Sequence, residues 1–355
     1  MKVIRPESNF WKDKRVLVTG HTGFKGSWLA VWLNRLGARV SGIGLQPNTD
    51  PNLFQLAGLK EFCDGHFCDI RDKEALLQII ENMRPEVIFH LAAQPLVRHS
   101  YLEPVETYST NVMGTVHLLD ALRSVSCARV AIIVSTDKVY RNKEWHFPYR
   151  EDDTLGGHDP YSTSKAASEL VIASYRDSFL GPQGVAVASA RAGNVIGGGD
   201  WSADRLIPDA IRSWQNGQSL EVRRPGAVRP WQHVLEPLSG YLILAEKLWA
   251  NADLAESYNF GPTTQEAVTV RDVVELARKF YGSDKVNYDN IVKGPHEAGF
   301  LALENSKVRH TLGVAPCLTL PESVKLTVEW YQSQSNGLDA HTLCENDIAF
   351  YEAFS

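Results

Sequence analysis

Residues 15–26 read RVLVTGHTGFKG, and this stretch decides the fold. Its first five residues are apolar and partly β-branched, which predicts a short buried strand. Gly20, Gly23 and Gly26 follow, and the next segment, SWLAVWLNRLG, has apolar residues at helical spacing and ends at Gly37. Glycines between a strand and a helix let the backbone approach a diphosphate, which the helix N-terminus can bind. The stretch therefore predicts a dinucleotide site rather than a glycine-rich turn without a ligand.

Strands and helices alternate from this stretch to residue 195, which is typical of a parallel sheet built from βαβ units. The further predicted strands are ARVSGIGL (38–45), PEVIFHLAA (85–93), ARVAIIVST (128–136) and VAVASARAGNV (185–195), with helices over 73–83, 111–124 and 161–179. We predict an α/β chain with a Rossmann doubly wound parallel sheet over 1–195, to which later segments return. Residues 196–335, with helices over 271–282 and 322–333, mainly form a smaller mixed α/β substrate lobe. We expect 336–355 to be a polar, partly ordered tail.

The composition excludes several classes of protein. The 355 residues carry 36 Lys and Arg against 42 Asp and Glu, a net charge of -6, which argues against general nucleic-acid or anionic-membrane binding. The sequence contains no apolar run of about 20 residues, so we predict no membrane span. The five cysteines form no CxxC pair and indicate a reducing compartment, so we expect the cytoplasm. Cys63, Cys68 and His66 lack a second ligand pair at zinc-like spacing, so no metal is expected.

The dinucleotide prediction names further residues. The predicted second strand ends in GIGLQ, without the acid that would bind a ribose 2′-hydroxyl and favour NAD over NADP. His21 and Lys25 could attract a 2′-phosphate, so the choice of NAD rests on the reaction argued below. Asp69 is expected to end the third strand and contact the adenine. The cofactor-binding candidates are Gly20, His21, Gly23, Phe24, Lys25, Gly26, Asp69, Ile70, Ala92, Ala93, Tyr161 and Lys165. The two alanines could equally serve helix–strand packing.

A second motif, YSTSK, predicts redox chemistry. Tyr161 and Lys165 are four residues apart in a helical segment that starts after Asp159-Pro160, so they face the same way. A tyrosine with a pKa near 10 is no base at neutral pH, but nearby positive charges favour its phenolate. The phenolate could take a hydroxyl proton while the carbon's hydride passes to the cofactor. Thr136, at the end of the preceding strand, could hold the same substrate oxygen.

These segments together resemble the extended short-chain dehydrogenase/reductase family, also called the NAD-dependent epimerase/dehydratase family. The pieces that carry the resemblance are TGHTGFKG, HLAAQPLV, NVMGT, STDKVY, YSTSK and RAGNVIGGGD, and it extends to ENSKVRHTLGV near residue 314. Within the family, HTGFKGSWL and STDKVY are most similar to the 4,6-dehydratases that act on CDP-glucose. The resemblance implies a cytoplasmic lyase with NAD as cofactor and CDP-glucose as substrate. It also implies a role in deoxysugar biosynthesis for bacterial lipopolysaccharide O-antigen.

The implied chemistry assigns roles to the residues after Thr136. Hydride leaves C4 of the glucose, the 4-ketone acidifies the C5 proton, water is lost across C5 and C6, and hydride returns to C6. Asp137 could protonate the leaving oxygen, or it could only cap the strand end. Related dTDP-glucose dehydratases carry a Glu as C5 base where this chain has Lys138. A neutral Lys138 could be the base, or it could bind the keto oxygen or a phosphate while another group is the base.

The resemblance places a nucleotide sugar in the second lobe. The substrate-binding candidates are Gln94, His99, Ser100, Asn194, Arg205, Arg229 and His296. Arginine forks match phosphate oxygens, which favours Arg205 and Arg229 for the diphosphate, whereas Arg223 and Arg224 suit a basic surface turn. The family typically pairs two subunits through the helices at 111–124 and after Tyr161. We therefore expect a homodimer, with a tetramer as the alternative.

Three other functions fit parts of this pattern. A nucleotide-sugar 4-epimerase, or a dehydratase for another nucleotide, would share the cofactor site, although an epimerase needs no acid such as Asp137. A cofactor-sensing binding protein would typically have lost Tyr161 and Lys165. A simple carbonyl reductase would consume free reduced cofactor in stoichiometric amounts.

Overall fold

The computed structural model describes residues 4–288 and 298–354. The strands are β1 (Arg15–Thr19), β2 (Arg39–Gly44), β3 (Cys63–Phe67), β4 (Val87–His90), β5 (Val130–Thr136), β6 (Ala186–Ala192), β7 (Asn194–Ile196), β8 (Leu220–Val222), β9 (Val228–His233), β10 (Ser257–Phe260), β11 (Ala267–Thr269) and β12 (Val286–Tyr288). The helices are α1 (Ser8–Trp11), α2 (Phe24–Arg35), α3 (Leu53–Leu56), α4 (Lys73–Met83), α5 (Val97–Leu102), α6 (Pro104–Tyr108), α7 (Gly114–Ser124), α8 (Pro160–Tyr175), α9 (Leu206–Gln215), α10 (Leu235–Ala250), α11 (Val270–Tyr281), α12 (Ser306–Leu312), α13 (Leu320–Ser335) and α14 (Ala340–Ala353).

Seven parallel strands form the main sheet in the order β3-β2-β1-β4-β5-β6-β10. The chain winds outward from β1 in one direction through β2 and β3, and then in the other direction from β4. Ligands of such sheets bind beyond the carboxyl ends of the strands, where the order reverses. The predicted doubly wound Rossmann fold is confirmed, and the reversal lies between β1 and β4.

Both faces of the sheet are covered because side chains alternate along each strand. On β1, Val16 and Val18 pack into a core that includes Trp28 and Trp32 of α2. Leu17 points to the other face and packs in a second core, with residues of α4, α7 and α8. Nearly continuous apolar strands are expected when a parallel sheet is buried on both faces.

The second lobe is built mainly from segments after residue 192. β7, β9 and β11 form a three-stranded sheet, and β8 pairs with β12. The sequence predicts one strand over 185–195, but the structure divides it at Gly193 into β6 of the main sheet and β7 of the lobe. A Cβ on Gly193 would lie 2.6 Å from Pro230 Cγ, so this crossing requires glycine. β10 returns to the main sheet, beside β6.

The C-terminal segment differs from the predicted polar tail, because α14 is a regular helix. Asp339 caps it by accepting from Thr342 N at 2.8 Å. Cys344, Ile348 and Tyr351 are fully buried on one side of the helix, which packs against α2. A one-sided apolar stripe is enough to dock a helix that is polar elsewhere.

Two further findings concern the whole described chain. Within residues 4–288 and 298–354, no helix is both long and apolar enough to cross a membrane. All five cysteines are free thiols, and burial raises the pKa of Cys63 to about 12.

Candidate active site

A cleft of about 1110 Å³ opens at the carboxyl edge of the main sheet, between the sheet and the second lobe. The glycine loop, the ends of β2, β4 and β5, and one side of α8 line its sheet side. The start of α9 and residues around β8 and β9 line its lobe side. The cleft therefore joins the predicted dinucleotide site to the predicted substrate lobe.

The glycine loop has the geometry of a diphosphate cradle. Gly20 has a φ of +75°, and a Cβ on it would lie 2.7 Å from Ala92 N. A Cβ on Gly26 would lie 2.1 Å from Gly20 O, so both positions require glycine. Gly23 is the N-cap of α2 and supplies no side-chain partner, and no acid lies in the first helical turn. The first N–H groups of α2 therefore have no competing acidic side chain and remain available to bind the oxygens of a diphosphate.

The two loop side chains expected to attract a 2′-phosphate are placed differently from each other. The His21 ring is fully buried between β2, β3 and Phe54, and it does not line the cleft. Lys25 lines the cleft but donates to Tyr241 OH at 3.1 Å, and its pKa responds to Arg205 and Lys165. The buried His21 ring is not available to a 2′-phosphate, whereas a cofactor contact of Lys25, which lines the cleft, stays a prediction.

The remaining cofactor candidates line the cleft near the ends of β3 and β4. β3 ends at Phe67, two residues earlier than predicted, and Asp69 follows it. Arg71 binds the Asp69 carboxylate through Nε at 2.9 Å and Nη2 at 2.6 Å, which lowers the pKa of Asp69. Ala92 N donates to Thr19 Oγ1 at 3.2 Å and so holds the end of β4 against β1. Ile70 and Ala93 also line the cleft.

The catalytic candidates come from the end of β5 and the start of α8. Asp159 caps α8 by accepting from Ser162 N at 2.9 Å, and Pro160 occupies the first turn, as predicted. Tyr161 and Lys165 then lie on one face of α8, both buried at the cleft. Lys165 Nζ donates to Val134 O at 3.0 Å, which anchors the lysine to β5.

The protein's own charges leave Tyr161 as a phenol, so the predicted phenolate rests on the cofactor's positive charge. Burial raises the pKa of Tyr161 to about 12, while the Thr136 hydroxyl and Arg205 lower it and Asp137 raises it. Burial lowers the pKa of Lys165 to about 8, against the opposing effect of Glu169, and it lowers the pKa of Lys25 to about 7. Without a bound cation, the phenol is therefore favoured over the phenolate, because desolvation outweighs the nearby positive charges.

Asp137, the candidate acid, lies just after β5. Its side chain is fully buried and does not line the cleft, whereas Thr136 and Lys138 do. Thr136 Oγ1 donates to Asp137 Oδ1 at 3.0 Å, and Lys138 Nζ lies 3.5 Å from the same oxygen. In the described part of the chain, Asp137 Oδ2 has no hydrogen-bond partner. The carboxylate thus lies directly behind the two residues that reach the cleft.

The substrate candidates divide into three groups. Asn194, Arg205, Arg229, His99 and Gln94 line the cleft. Asn194 Oδ1 is buried, and no donor among the described residues contacts it. Ser100 is buried, donates to Val97 O at 2.7 Å and does not line the cleft, so a sugar contact from its side chain is wrong for this structure. His296 lies outside the described residues.

Two of the lining residues have strong protein partners. Gln94 Nε2 donates to Thr107 Oγ1 at 2.8 Å, and its Oε1 accepts from Leu96 N at 2.6 Å, so this side chain braces its own loop. Arg229 donates from Nη1 to Val228 O at 2.8 Å and from Nη2 to Ala298 O. Arg205 keeps more capacity for a ligand, with Nη1 3.1 Å from Asp200 Oδ2.

Sequence reasoning missed two arginines of the cleft. Arg98, which precedes the predicted His99, lies 3.7 Å from Asp204 Oδ1 through Nε. Arg71 follows the predicted Asp69 and binds it, as described above. In both cases a cation next to a predicted ligand residue in a strand-end loop was the signal that could have identified it.

The fold and these residues define a Rossmann enzyme of the extended short-chain dehydrogenase/reductase type. The family model described as GDP-mannose 4,6 dehydratase matches residues 17–327, and the chain belongs to this family. A CDP-glucose 4,6-dehydratase of Salmonella typhimurium is 47% identical over 351 residues, which cover 97% of this chain and 98% of that protein.

Solved structures share the fold. The dTDP-glucose 4,6-dehydratase DesIV of Streptomyces venezuelae, solved with NAD bound, has a TM-score of 0.77 at 24% identity and covers 92% of this chain and 99% of its own. A UDP-glucose 4-epimerase of Thermotoga maritima, solved with UDP-glucose, has a TM-score of 0.77 at 24% identity, covering 90% and 99%. At this identity the likeness concerns the fold.

Proposed function

We propose that this enzyme converts CDP-D-glucose to CDP-4-keto-6-deoxy-D-glucose. The observation that carries the proposal is the 47% identity to a CDP-glucose 4,6-dehydratase over nearly the whole chain. The cleft supports it, because Thr136, Lys138, Tyr161 and Lys165 meet there beside the glycine loop. The alternatives are another nucleotide-sugar 4,6-dehydratase and a 4-epimerase.

The cofactor we propose is NAD, held by the glycine loop and the first turn of α2. The absence of a competing acid in that turn and the close backbone packing at Gly20 and Gly26 fit a diphosphate. The dTDP-glucose 4,6-dehydratase DesIV, which shares the fold and was solved with NAD bound, supports NAD over NADP. When bound, NAD would accept and return a hydride.

The first half of the reaction needs a base for the C4 hydroxyl. We assign this role to Tyr161, whose side chain is buried at the cleft next to Thr136. A hydroxyl oxygen held by Thr136 would lie beside the tyrosine oxygen that takes its proton. Lys165, fixed to Val134 O, supplies a cation on the same face of α8 and helps to stabilise the phenolate.

The second half needs an acid at C6 and a base at C5. We assign the acid to Asp137: its protonated carboxyl would pass a proton to Thr136 Oγ1, 3.0 Å away, while the Thr136 hydroxyl gives its own proton to the C6 oxygen, which leaves as water. We assign the base to Lys138, whose side chain is about one third exposed in the cleft. The alternative role of Lys138, binding the keto oxygen or a phosphate, would need only its charge.

Substrate binding is assigned to the lobe side of the cleft. Arg205 and Arg229 suit the diphosphate, and Asn194 and His99 line the same cleft. Gln94 shapes the loop that carries His99. We assign cofactor binding to 1–195 together with α10 and β10, and nucleotide-sugar binding mainly to the rest of 196–335.

We also propose a homodimer that works in the cytoplasm. Leu102, Val105 and Leu170 are 76%, 80% and 64% exposed, and they lie on α5, α6 and α8, which pack together. A second copy would bury these apolar side chains. The free state of all five cysteines suits a reducing compartment.

Product analysis tests the function. The enzyme is incubated with CDP-, UDP-, dTDP- and GDP-glucose in turn, each with catalytic NAD+. A 4-keto-6-deoxy product from CDP-glucose alone, without net reduced cofactor, is the expected result. An isomerised hexose would turn the assignment to an epimerase. Turnover of another nucleotide alone would keep the mechanism and overturn the substrate.

A further inference from the structure

The order of groups along the cleft indicates where the base of a nucleotide sugar would lie. Arg205 lies close enough to Tyr161 and Lys25 to change their pKa values, so it adjoins the catalytic end. Arg205 is also the N-cap of α9, and Asp209 follows one helical turn later, about 5 Å further along the axis. A substrate with its hexose at Tyr161 and its diphosphate at Arg205 would extend its base toward Asp209.

Pyrimidine bases differ most at position 4. Cytosine carries an amino group there, which donates hydrogen bonds, whereas uracil and thymine carry a carbonyl oxygen, which accepts them. A carboxylate can only accept, so it pairs with the cytosine amino group and opposes the oxygen of the other two bases. An acid at the base end of the cleft would therefore select cytosine.

Asp209 is placed and held for this role. It lines the cleft, and its side chain is 34% exposed. Arg212 binds Asp209 Oδ1 and is itself fixed to Trp201 O at 2.8 Å and Ser202 O at 3.1 Å. Among the described residues, no donor contacts Asp209 Oδ2. The carboxylate thus has one oxygen anchored and one oxygen available to a ligand.

The other acids at this end of the cleft are engaged differently. Asp204 Oδ1 accepts from Arg223 at 3.0 Å and lies 3.7 Å from Arg98. Glu221 lies between Leu220 and Val222, which are buried, so its side chain points to the opposite side of β8, where Oε1 accepts from Asn287 at 2.6 Å. Of these three acids, Asp209 is the one whose anchoring arginine is itself fixed by two backbone carbonyl oxygens.

We propose that Asp209 reads the 4-amino group of cytosine and sets the nucleotide specificity of this enzyme. The inference rests on the proposed function for the choice of substrate, but it can be tested by binding alone. The contact is directional, since a base that presents an oxygen to Asp209 leaves two acceptors facing each other. Leu206, Leu220 and Val222 line the same part of the cleft and supply apolar surface for any pyrimidine ring.

The test compares Asp209→Asn with the wild type, and Asp204→Asn serves as a matched control on the same cleft. Asparagine keeps an acceptor for Arg212 and adds a donor for a carbonyl oxygen. Binding of CDP and UDP is measured by calorimetry, and kcat/KM is measured with CDP-glucose and UDP-glucose. The preference for CDP over UDP, measured as the ratio of the two affinities and of the two kcat/KM values, should fall about 10- to 100-fold in Asp209→Asn, as expected for one base contact. The change should appear mainly in KM, and Asp204→Asn should alter both nucleotides equally.

The outcomes separate the two proposals. If folded Asp209→Asn prefers CDP over UDP as strongly as the wild type does, the assignment of Asp209 is overturned, even if the wild type dehydrates CDP-glucose. A wild type that prefers CDP through Asp209 but forms no 6-deoxy product supports the specificity residue and overturns the reaction. Asp209→Ser provides a second variant if the asparagine protein is poorly folded, and a preserved CDP preference there would also overturn the proposal.

Discussion

Glu169 Oε2 lies 2.9 Å from Arg191 Nη2, and both side chains are almost completely buried. Glu169 follows Lys165 by four residues on α8, so Tyr161, Lys165 and Glu169 share that face. Arg191 also donates to Tyr140 OH and to Glu151 O, each at 2.9 Å. Burial alone would raise the pKa of Glu169, but Arg191 outweighs it and the net shift is downward. The pair therefore ties α8 to β6 and to the segment after β5.

Removing one member of this pair should strongly destabilise the fold. Arg191→Met leaves the Glu169 carboxylate buried without its cation, and the free energy of unfolding should fall by about 3–5 kcal/mol. Urea unfolding followed by circular dichroism measures it. The double variant Glu169→Gln/Arg191→Met should recover much of the loss. Lys325→Met, from an exposed pair with Glu329, is the control and should change little. An Arg191→Met effect no larger than this control would contradict the argument.

The ionisation of Tyr161 should depend on the cofactor. In the free enzyme burial raises the pKa of Tyr161 to about 12, so the phenol should stay neutral at pH 8. A positively charged nicotinamide near the hydroxyl should lower that pKa, because it favours the phenolate. Ultraviolet difference titration with and without NAD+ should show one extra tyrosinate at lower pH when NAD+ is bound. Tyr161→Phe should abolish the difference. Identical titrations with and without NAD+ would show that the cofactor does not activate this tyrosine.

Substitutions should separate the two candidate roles of Lys138, as the base that takes the C5 proton and as a positive charge. Lys138→Met should greatly slow solvent-deuterium incorporation at C5 of the keto sugar while hydride transfer from C4 persists. Lys138→Arg keeps the positive charge but cannot act as a base at neutral pH, so it should also block exchange. Mass spectrometry of the sugar measures the exchange. Undiminished exchange in Lys138→Met would rule out the base role, and exchange restored by arginine would assign Lys138 to charge stabilisation instead.

The exposed apolar residues of α5, α6 and α8 should control the oligomeric state. Val105→Glu combined with Leu170→Glu places two charges on the proposed dimer surface, and the protein should become a monomer by light scattering. Phe147, which is exposed in the loop after β5, gives the control Phe147→Glu, which should remain a dimer. A wild type that is already a monomer at working concentration would contradict the dimer itself.

The alternation of strands and helices and the two motifs could be predicted from sequence because each depends on local pattern. RVLVTGHTGFKG combines an apolar strand, obligatory glycines and a helix, and the structure retains all three as β1, the loop and α2. Asp159-Pro160 predicts the start of α8 and hence the shared face of Tyr161 and Lys165. These features need no knowledge of the rest of the chain.

Features that depend on packing between distant segments could not be predicted in this way. The His21 ring is buried because Gly42 and Gly65, on adjacent strands, leave room for it. A Cβ on Gly42 would lie 2.3 Å from His21 Cγ. The glycine within a predicted strand was the available signal. The burial of Asp137 and the upward pKa shift of Tyr161 depend on the whole site, which no single motif describes.

A half-buried carboxylate, that of Glu246, should make stability depend on pH. Glu246 Oε1 accepts from Trp11 Nε1 at 2.6 Å and from Glu7 N at 2.8 Å, and burial raises the pKa of Glu246 to about 7. The folded pKa lies above the unfolded value of about 4.3, so the folded protein favours the neutral acid. This stabilisation is complete below the unfolded pKa and is lost as the pH rises through about 7.

Glu246→Gln keeps the accepting oxygen but stays neutral at every pH. The melting temperature of Glu246→Gln minus that of the wild type should therefore increase between about pH 4.5 and 7. Above that range the difference should stay constant. Glu81→Gln, at an exposed position on α4, is the control and should follow the wild-type curve. Thermal melts in a series of buffers measure the three curves. Parallel curves for Glu246→Gln and wild type would mean that the carboxylate ionises in the folded protein as freely as in the unfolded chain.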